Sequence, residues 1–115
     1  MLLAFASSSL QQRLLASGLQ RRTAATVTTR DDLTANLAVI RDRGYASDRE
    51  EYREGLCCIA MPVRDFSGAV TYALAASGPT QRFTEQRLPD LLATLRHTAQ
   101  ALEGVLGFRH VDGLA

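Results

Sequence analysis

The residues best suited to chemistry are the adjacent cysteines Cys57 and Cys58. A cysteine nucleophile needs a base, usually a histidine, that converts the thiol to a thiolate. Nothing in the spacing pairs Cys58 with either histidine of the chain. His97 lies off the apolar stripe of a predicted helix, where it should face solvent, and His110 lies in the tail. We therefore expect a protein that is not an enzyme and has no catalytic residue.

Metal and disulfide chemistry are disfavoured as well. Two cysteines and two distant histidines do not make a zinc signature, and adjacent cysteines are too strained for a structural disulfide. The first residues lack the positive charge and the long apolar run of a signal peptide, and no apolar stretch is long enough to span a membrane. We expect a reduced, cytoplasmic chain without a metal, a cofactor or a membrane partner.

Both cysteines lie in a continuous apolar run over residues 56–63, which predicts a buried strand. Neighbouring residues of a strand point to opposite faces. One thiol should therefore face the core or a pocket, and the other should face the opposite layer. Simple packing of two small apolar residues is an equally open interpretation. Pro62 should place its end of the strand at a sheet edge or a bulge.

Two other groups of residues could serve either chemistry or structure. The run Ser77-Gly78-Pro79 could contribute to a site or could only form a turn. Carboxylates interleaved with arginines could supply acid–base chemistry or could form a solvated loop with local ion pairs. This acidic cluster consists of Asp48, Glu50, Glu51 and Glu54, with Arg49 and Arg53 between them.

The elements that must position these residues are short. Helical spacing predicts a first helix over about 2–17 without an N-cap, followed by an irregular, threonine-rich stretch over 19–28. The run Thr29-Arg30-Asp31-Asp32 resembles a capping box, and it should start a second helix that Gly44 ends. Residues 44–51 should form a polar connection.

The second half of the chain completes a small α+β domain. A hairpin loop over 64–68 should join the first strand to a second over 70–74, and an amphipathic helix should run over about 88–106. The chain has 115 residues, 46% apolar residues and a net charge of +1, which suits one domain without a polybasic arm or an acidic tail. Its thirteen basic residues are scattered arginines that form no nucleic-acid-binding stripe.

A long collinear pattern runs through residues 29–79. It resembles the C-terminal effector-binding domain of IclR-type bacterial transcriptional regulators, and the flanking helices extend the resemblance over essentially all of residues 1–115. The segments that carry it are Ile40-Arg41, Gly44-Tyr45-Ala46-Ser47-Asp48-Arg49-Glu50-Glu51, Gly55-Leu56-Cys57-Cys58-Ile59-Ala60-Met61-Pro62-Val63-Arg64-Asp65, Ser67-Gly68 and Ala73-Leu74-Ala75-Ala76-Ser77-Gly78-Pro79.

This resemblance implies a GAF/profilin-like α+β domain in which an antiparallel sheet is packed by helices. It implies binding of a small-molecule effector, a carboxylate or aromatic organic acid, which controls DNA binding by a separate winged-helix module. It also implies a homodimer or a tetramer. The winged helix and the opening strands of the effector domain have no counterpart here, so these residues alone should not bind DNA sequence-specifically.

Carried over residue by residue, the resemblance implies four ligand-binding positions: Asp48, Leu56, Cys58 and Ser77. Asp48 suits a ligand hydroxyl better than a carboxylate. Ala75 stands where many relatives have a second serine, which favours a larger or more apolar acid over a small keto acid. The alternative function is a truncated interaction module that pairs with full-length regulators without binding a ligand.

Overall fold

A computed structural model of the chain describes residues 1–109, so His110 lies outside the described residues. The chain folds into an antiparallel three-stranded sheet, in the order β1-β2-β3, with helices on both faces. The α+β class and the helix-packed antiparallel sheet are thereby confirmed. In chain order the elements are a 3₁₀ helix Leu2–Phe5, α1 Ser8–Ala16, α2 Arg30–Arg43, β1 Ala46–Arg49, β2 Leu56–Arg64, β3 Val70–Pro79, a 3₁₀ turn Thr80–Arg82 and α3 Leu88–Val105.

The side chains of the central strand β2 point alternately into two apolar layers, one on each face of the sheet. Its odd-numbered residues are buried, and most of them pack against Leu95 and Ala99 of α3. Its even-numbered residues are half-buried on the opposite face, which is the side of a second cluster formed by α2 and the first 3₁₀ helix around Leu37, Ile40 and Ala4. The predicted opposite orientation of the two thiols is confirmed, because Cys57 is buried and Cys58 is only half-buried.

Pro62 lies in a part of β2 that is not paired with β1. The carbonyl oxygen of Leu56 accepts from the N–H of Glu50 at 3.0 Å, so the even-numbered backbone groups of β2 point toward β1. The first residue of β1, Ala46, is opposite Ala60, and β1 therefore does not reach Pro62. The missing proline N–H costs no ladder hydrogen bond there, and the ladder to β3 becomes irregular just beyond it. The predicted edge or bulge is confirmed.

The expected uncapped helix over about 2–17 is wrong. The chain forms a 3₁₀ helix first, and α1 begins only at Ser8. The Ser7 side chain accepts from the N–H of Leu10 at 3.2 Å, so a serine inside the predicted helix is in fact its N-cap. Serine competes for backbone hydrogen bonds and prefers this position to a helix interior.

Residues 44–51 are not merely a polar connection, because Ala46–Arg49 form β1. Two of its side chains, those of Ser47 and Arg49, are exposed. A polar edge strand of this kind is held by its hydrogen-bond ladder to β2 and carries no apolar run that periodicity could detect.

The alternative in which Ser77-Gly78-Pro79 only forms a turn is wrong, since β3 continues through these residues, beyond the second strand predicted over 70–74. Gly78 lies close to the Phe83 ring, and an added Cβ would make a tight contact of 3.3 Å with it. The turn follows at Thr80–Arg82.

The remaining helix predictions are confirmed. The Thr29 side chain caps α2 by accepting from the N–H of Asp32 at 3.2 Å, and Gly44 ends this helix in the left-handed conformation with a φ of 81°. The long helix α3 runs from Leu88 to Val105, with His97 exposed on it as expected. In the described part of the chain, no helix combines the length and the apolar content that a membrane crossing needs.

Candidate ligand-binding site

An open cleft of about 440 Å³ lies between α2 and the even-numbered face of the sheet. Small-molecule sites in proteins typically measure about 300–1,000 Å³ and combine apolar walls with a few polar groups. The cleft has that character. Its lining comes from the first 3₁₀ helix (Met1, Leu3), the α1–α2 loop (Arg22, Thr26), α2 (Leu33, Asn36, Leu37, Ile40), β1 (Ala46, Ser47, Asp48), the β1–β2 loop (Glu51, Tyr52) and β2 (Cys58, Ala60).

Three of the four predicted ligand-binding residues form one row across the sheet. Asp48 is directly opposite Cys58, and Cys58 is directly opposite Ser77. Paired residues in an antiparallel ladder point to the same face. Asp48 and Cys58 line the cleft, whereas Ser77 continues the row on β3, exposed and outside the lining. Leu56 lies on the same face of β2, half-buried, and also outside the lining.

Asp48 helps to shape the loop that forms one wall of the cleft. One of its carboxylate oxygens accepts from the backbone N–H of Glu51 at 2.8 Å. Burial and the neighbouring Asp48 charge raise the pKa of the Glu51 carboxyl above its ordinary value, and a backbone hydrogen bond from Arg49 opposes them. The acidic cluster of the sequence is thus split, because Asp48 and Glu51 line the cleft while Glu50 turns its carboxylate to the N–H of Gly55 at 2.7 Å.

Two threonine hydroxyls fasten the α1–α2 loop to this wall. The hydroxyl of Thr23 donates to the carbonyl oxygen of Glu50 at 2.6 Å, and that of Thr26 donates to the carbonyl oxygen of Glu51. From the sequence, this stretch was predicted only to be irregular and rich in threonine. The three-residue spacing of the two threonines could have indicated a shared role. Their acceptors, however, lie 25 or more residues away, and local periodicity does not reveal contacts of that range.

Arg22 and Tyr52 flank the cleft as a pair that the sequence did not single out. The guanidinium carbon of Arg22 lies 5.5 Å from the centre of the Tyr52 ring, within the range of a cation–π contact. The backbone N–H of Arg22 donates to the hydroxyl of Thr26 at 3.0 Å. Arg22 supplies the cationic side chain of the lining, and the amino group of Met1 is a second basic group there, whose pKa is lowered by burial.

Each thiol lies close to one polar group of the protein. Cys57 is buried on the α3 side of the sheet, with its Sγ 3.5 Å from the Thr80 hydroxyl. The Sγ of Cys58 lies 3.7 Å from the carbonyl oxygen of Ile59. Among residues 1–109, no group of three or more histidine, cysteine or acidic side chains is arranged to hold a metal ion.

Comparison with known proteins identifies the class to which this fold and cleft belong. The family model described as bacterial transcriptional regulator IclR, C-terminal, matches residues 1–103. The chain therefore belongs to the IclR family of bacterial transcriptional regulators and corresponds to their C-terminal, effector-binding domain. Its relatives are regulators and not enzymes. This agrees with the expectation of a protein that is not an enzyme, which was drawn from the absence of a histidine partner for Cys58.

Among individual relatives, the regulator KdgR of Escherichia coli K12 is 40% identical over 89 residues, covering 77% of this chain and 34% of that protein. The repressor AllR of the same strain is 36% identical over 104 residues, covering 90% of this chain and 38% of AllR. The chain thus spans about a third of the length of these curated relatives.

Solved structures agree with this assignment. The C-terminal domain of E. coli KdgR superposes with a TM-score of 0.84 at 37% identity, covering 93% of this chain and 66% of that one. The inducer-binding domain of a double mutant of PobR from Acinetobacter, in complex with 3-hydroxybenzoic acid, has a TM-score of 0.84 at 31% identity, covering 90% of this chain and 61% of that one.

Proposed function

We propose that this chain is the ligand-sensing and oligomerisation part of an IclR-type regulator. It binds a small organic acid in the cleft between α2 and the sheet, and this binding controls a winged-helix module that contacts DNA. The observation that carries the proposal is the cleft itself, with apolar walls from α2 and the polar residues Asp48 and Cys58 on its floor. The regulator works in the cytoplasm, as a homodimer or a tetramer.

The lining favours an aromatic or otherwise apolar acid that also carries a hydroxyl group. Leu33, Leu37 and Ile40 offer an apolar wall, and Asp48 offers a carboxylate that can accept from a ligand hydroxyl. The inducer-binding domain of PobR, whose fold is similar, holds 3-hydroxybenzoic acid, which is a ligand of this kind. Leu56 and Ser77 contact the ligand where it extends beyond Cys58 toward β3.

Titration calorimetry of the 115-residue chain tests this function. A panel of hydroxybenzoates and sugar acids should include a compound that gives saturable heat, and Asp48→Asn and Ser77→Ala should weaken the binding of a hydroxylated acid. Light scattering during size-exclusion chromatography should give the mass of a dimer or a tetramer. A chain that binds no member of the panel contradicts the sensing function.

The open edge of the sheet favours a second function, an interaction module that pairs with full-length regulators without a ligand. In the described residues β3 has a neighbour on one side only, and its ten residues leave backbone groups free on the other. Such an edge can add a strand from another chain. Co-purification of the tagged chain with a full-length homologue, in the absence of any saturable ligand, would favour this function over sensing.

A further inference from the structure

We propose that Arg22 makes the cleft selective for anions, and that its guanidinium binds the carboxylate of the organic acid. This assignment rests on the function proposed above and adds to it the orientation of the ligand. The carboxylate lies toward Arg22 and Tyr52, at the wall made by the α1–α2 and β1–β2 loops. The hydroxyl or apolar end lies toward Asp48 and Cys58 on the floor.

A ligand carboxylate in this cleft needs a cation beside it. The ionisable groups of the lining are the Arg22 guanidinium, the Met1 amino group and the carboxyls of Asp48 and Glu51. Burial lowers the pKa of the Met1 amino group, which weakens it as a cation. Transferring a ligand carboxylate from water into a cleft that already holds two carboxyl groups is unfavourable unless a cation pairs with it. Arg22 is the lining side chain that can form this pair at the wall of the two loops, and Asp48 on the floor disfavours the reverse orientation of the ligand.

Arg22 is available for this role. Within residues 1–109, its guanidinium forms neither an ion pair nor a hydrogen bond, and its contact is the face of the Tyr52 ring at 5.5 Å. A planar guanidinium stacked on an aromatic ring keeps its edge N–H groups free, and two of them match the two oxygens of a carboxylate.

The backbone that carries Arg22 is held in place. The Arg22 N–H donates to the Thr26 hydroxyl, which in turn donates to the carbonyl oxygen of Glu51. The loop bearing the cation and the loop bearing Tyr52 and Glu51 are therefore one connected wall. This positioning lowers the entropy cost of binding a ligand.

The neighbouring residue Arg21 provides a matched control because its guanidinium is already used. It donates to the carbonyl oxygens of Thr23 at 3.2 Å and Ala24 at 3.0 Å, and to the hydroxyl of Thr28 at 3.2 Å. Arg21 does not line the cleft. Its substitution removes a positive charge and loosens the same loop without removing the proposed carboxylate partner.

Calorimetry with 3-hydroxybenzoate and its neutral analogue 3-hydroxybenzamide distinguishes these roles. The unsubstituted chain should bind the benzoate more tightly than the benzamide. Arg22→Gln should weaken benzoate binding by about 10- to 100-fold and leave benzamide binding almost unchanged, as expected for the loss of a charge-assisted hydrogen-bonded pair. Arg22→Lys should recover part of the loss, and Arg21→Gln should affect both compounds equally.

Nuclear magnetic resonance of the unsubstituted chain gives a readout that does not depend on the folding of a variant. The Arg22 side-chain Nε–Hε resonance, assigned by its absence in Arg22→Lys, should shift on addition of benzoate and not on addition of benzamide. An unshifted resonance during saturable benzoate binding, or equal benzoate affinity in Arg22→Gln, would overturn the role of Arg22 while the sensing function stands. A chain that binds neither probe nor any acid of the panel would overturn both.

Discussion

Asp48 of β1 and Cys58 of β2 lie directly opposite each other in the antiparallel sheet, and both side chains face the cleft under α2. Cys57, one residue earlier, faces α3 and is buried. The adjacent thiols therefore belong to two different layers of the protein. Substitutions at the two cysteines can therefore test whether the face that carries Cys58 binds the proposed ligand.

Replacing each cysteine by phenylalanine should affect different properties: ligand binding at Cys58 and the free energy of unfolding at Cys57. Cys58→Phe should occupy the floor of the cleft and abolish calorimetric binding of the acid that the unsubstituted chain binds, while the free energy of unfolding in urea changes by less than about 1 kcal/mol. Cys57→Phe inserts volume into the buried layer and should lower the free energy of unfolding by about 1–3 kcal/mol. Unchanged ligand affinity in Cys58→Phe would place the ligand elsewhere.

Thr26 should stabilise the wall of the cleft through its hydroxyl. Thr26→Val keeps the shape of the side chain but removes the closer of the two hydroxyl donors to the Glu51 carbonyl and leaves that of Thr23 at 3.3 Å. It should cost about 1 kcal/mol of unfolding free energy. Amide hydrogen exchange should accelerate over residues 21–28 and 50–52. Thr34→Val is the control, because the Thr34 hydroxyl donates to the Arg30 carbonyl within the same helix, α2. Equal exchange rates in both variants would contradict the proposed role of the Thr26 hydroxyl in holding the two loops together.

Glu51 should make stability depend on pH with a defined sign. Burial, reinforced by the charge of Asp48, raises the pKa of the Glu51 carboxyl in the folded chain. The folded state then binds the proton more tightly than the unfolded state, whose glutamate pKa is about 4.3. The resulting stabilisation is fully present below that pKa and is lost as the pH rises through the folded pKa.

Urea unfolding between acidic and neutral pH measures this effect. The unfolding free energy of the unsubstituted chain should fall with rising pH relative to that of Glu51→Gln. Asp48→Asn should reduce the slope, since its amide oxygen can still accept from the Glu51 N–H while the repelling charge is gone. A flat or rising difference between the chain and Glu51→Gln would contradict the proposed origin of the shift.

Gly44, at the end of α2, and Gly104, within α3, should respond to alanine with opposite signs. At both positions an added Cβ would meet no neighbouring atom of residues 1–109 within 4 Å, so crowding in this part of the chain does not distinguish them. Gly44 ends α2 with a φ of 81°, and Gly44→Ala should destabilise the chain by about 1 kcal/mol. Gly104 lies within α3, and Gly104→Ala should stabilise it by about 0.5 kcal/mol. Thermal unfolding of both variants checks the two signs.

Features that depend on near neighbours in the chain could be predicted from the sequence. The cap of α2 at Thr29 and its end at Gly44 require only residues within one helical turn. The alternating burial of β2 follows from one continuous apolar run. The family pattern around Asp48 and Cys58 indicated residues that do line the cleft.

Only the tertiary structure decided the rest of the sheet and of the cleft wall. β1 is polar and exists because it pairs with β2, and Ser77 belongs to a strand because it is opposite Cys58. Arg22 enters the cleft because Thr26 connects its loop to a carbonyl 25 residues away. Such contacts join segments that are distant in sequence, and their energy comes from pairing and burial that no local periodicity records.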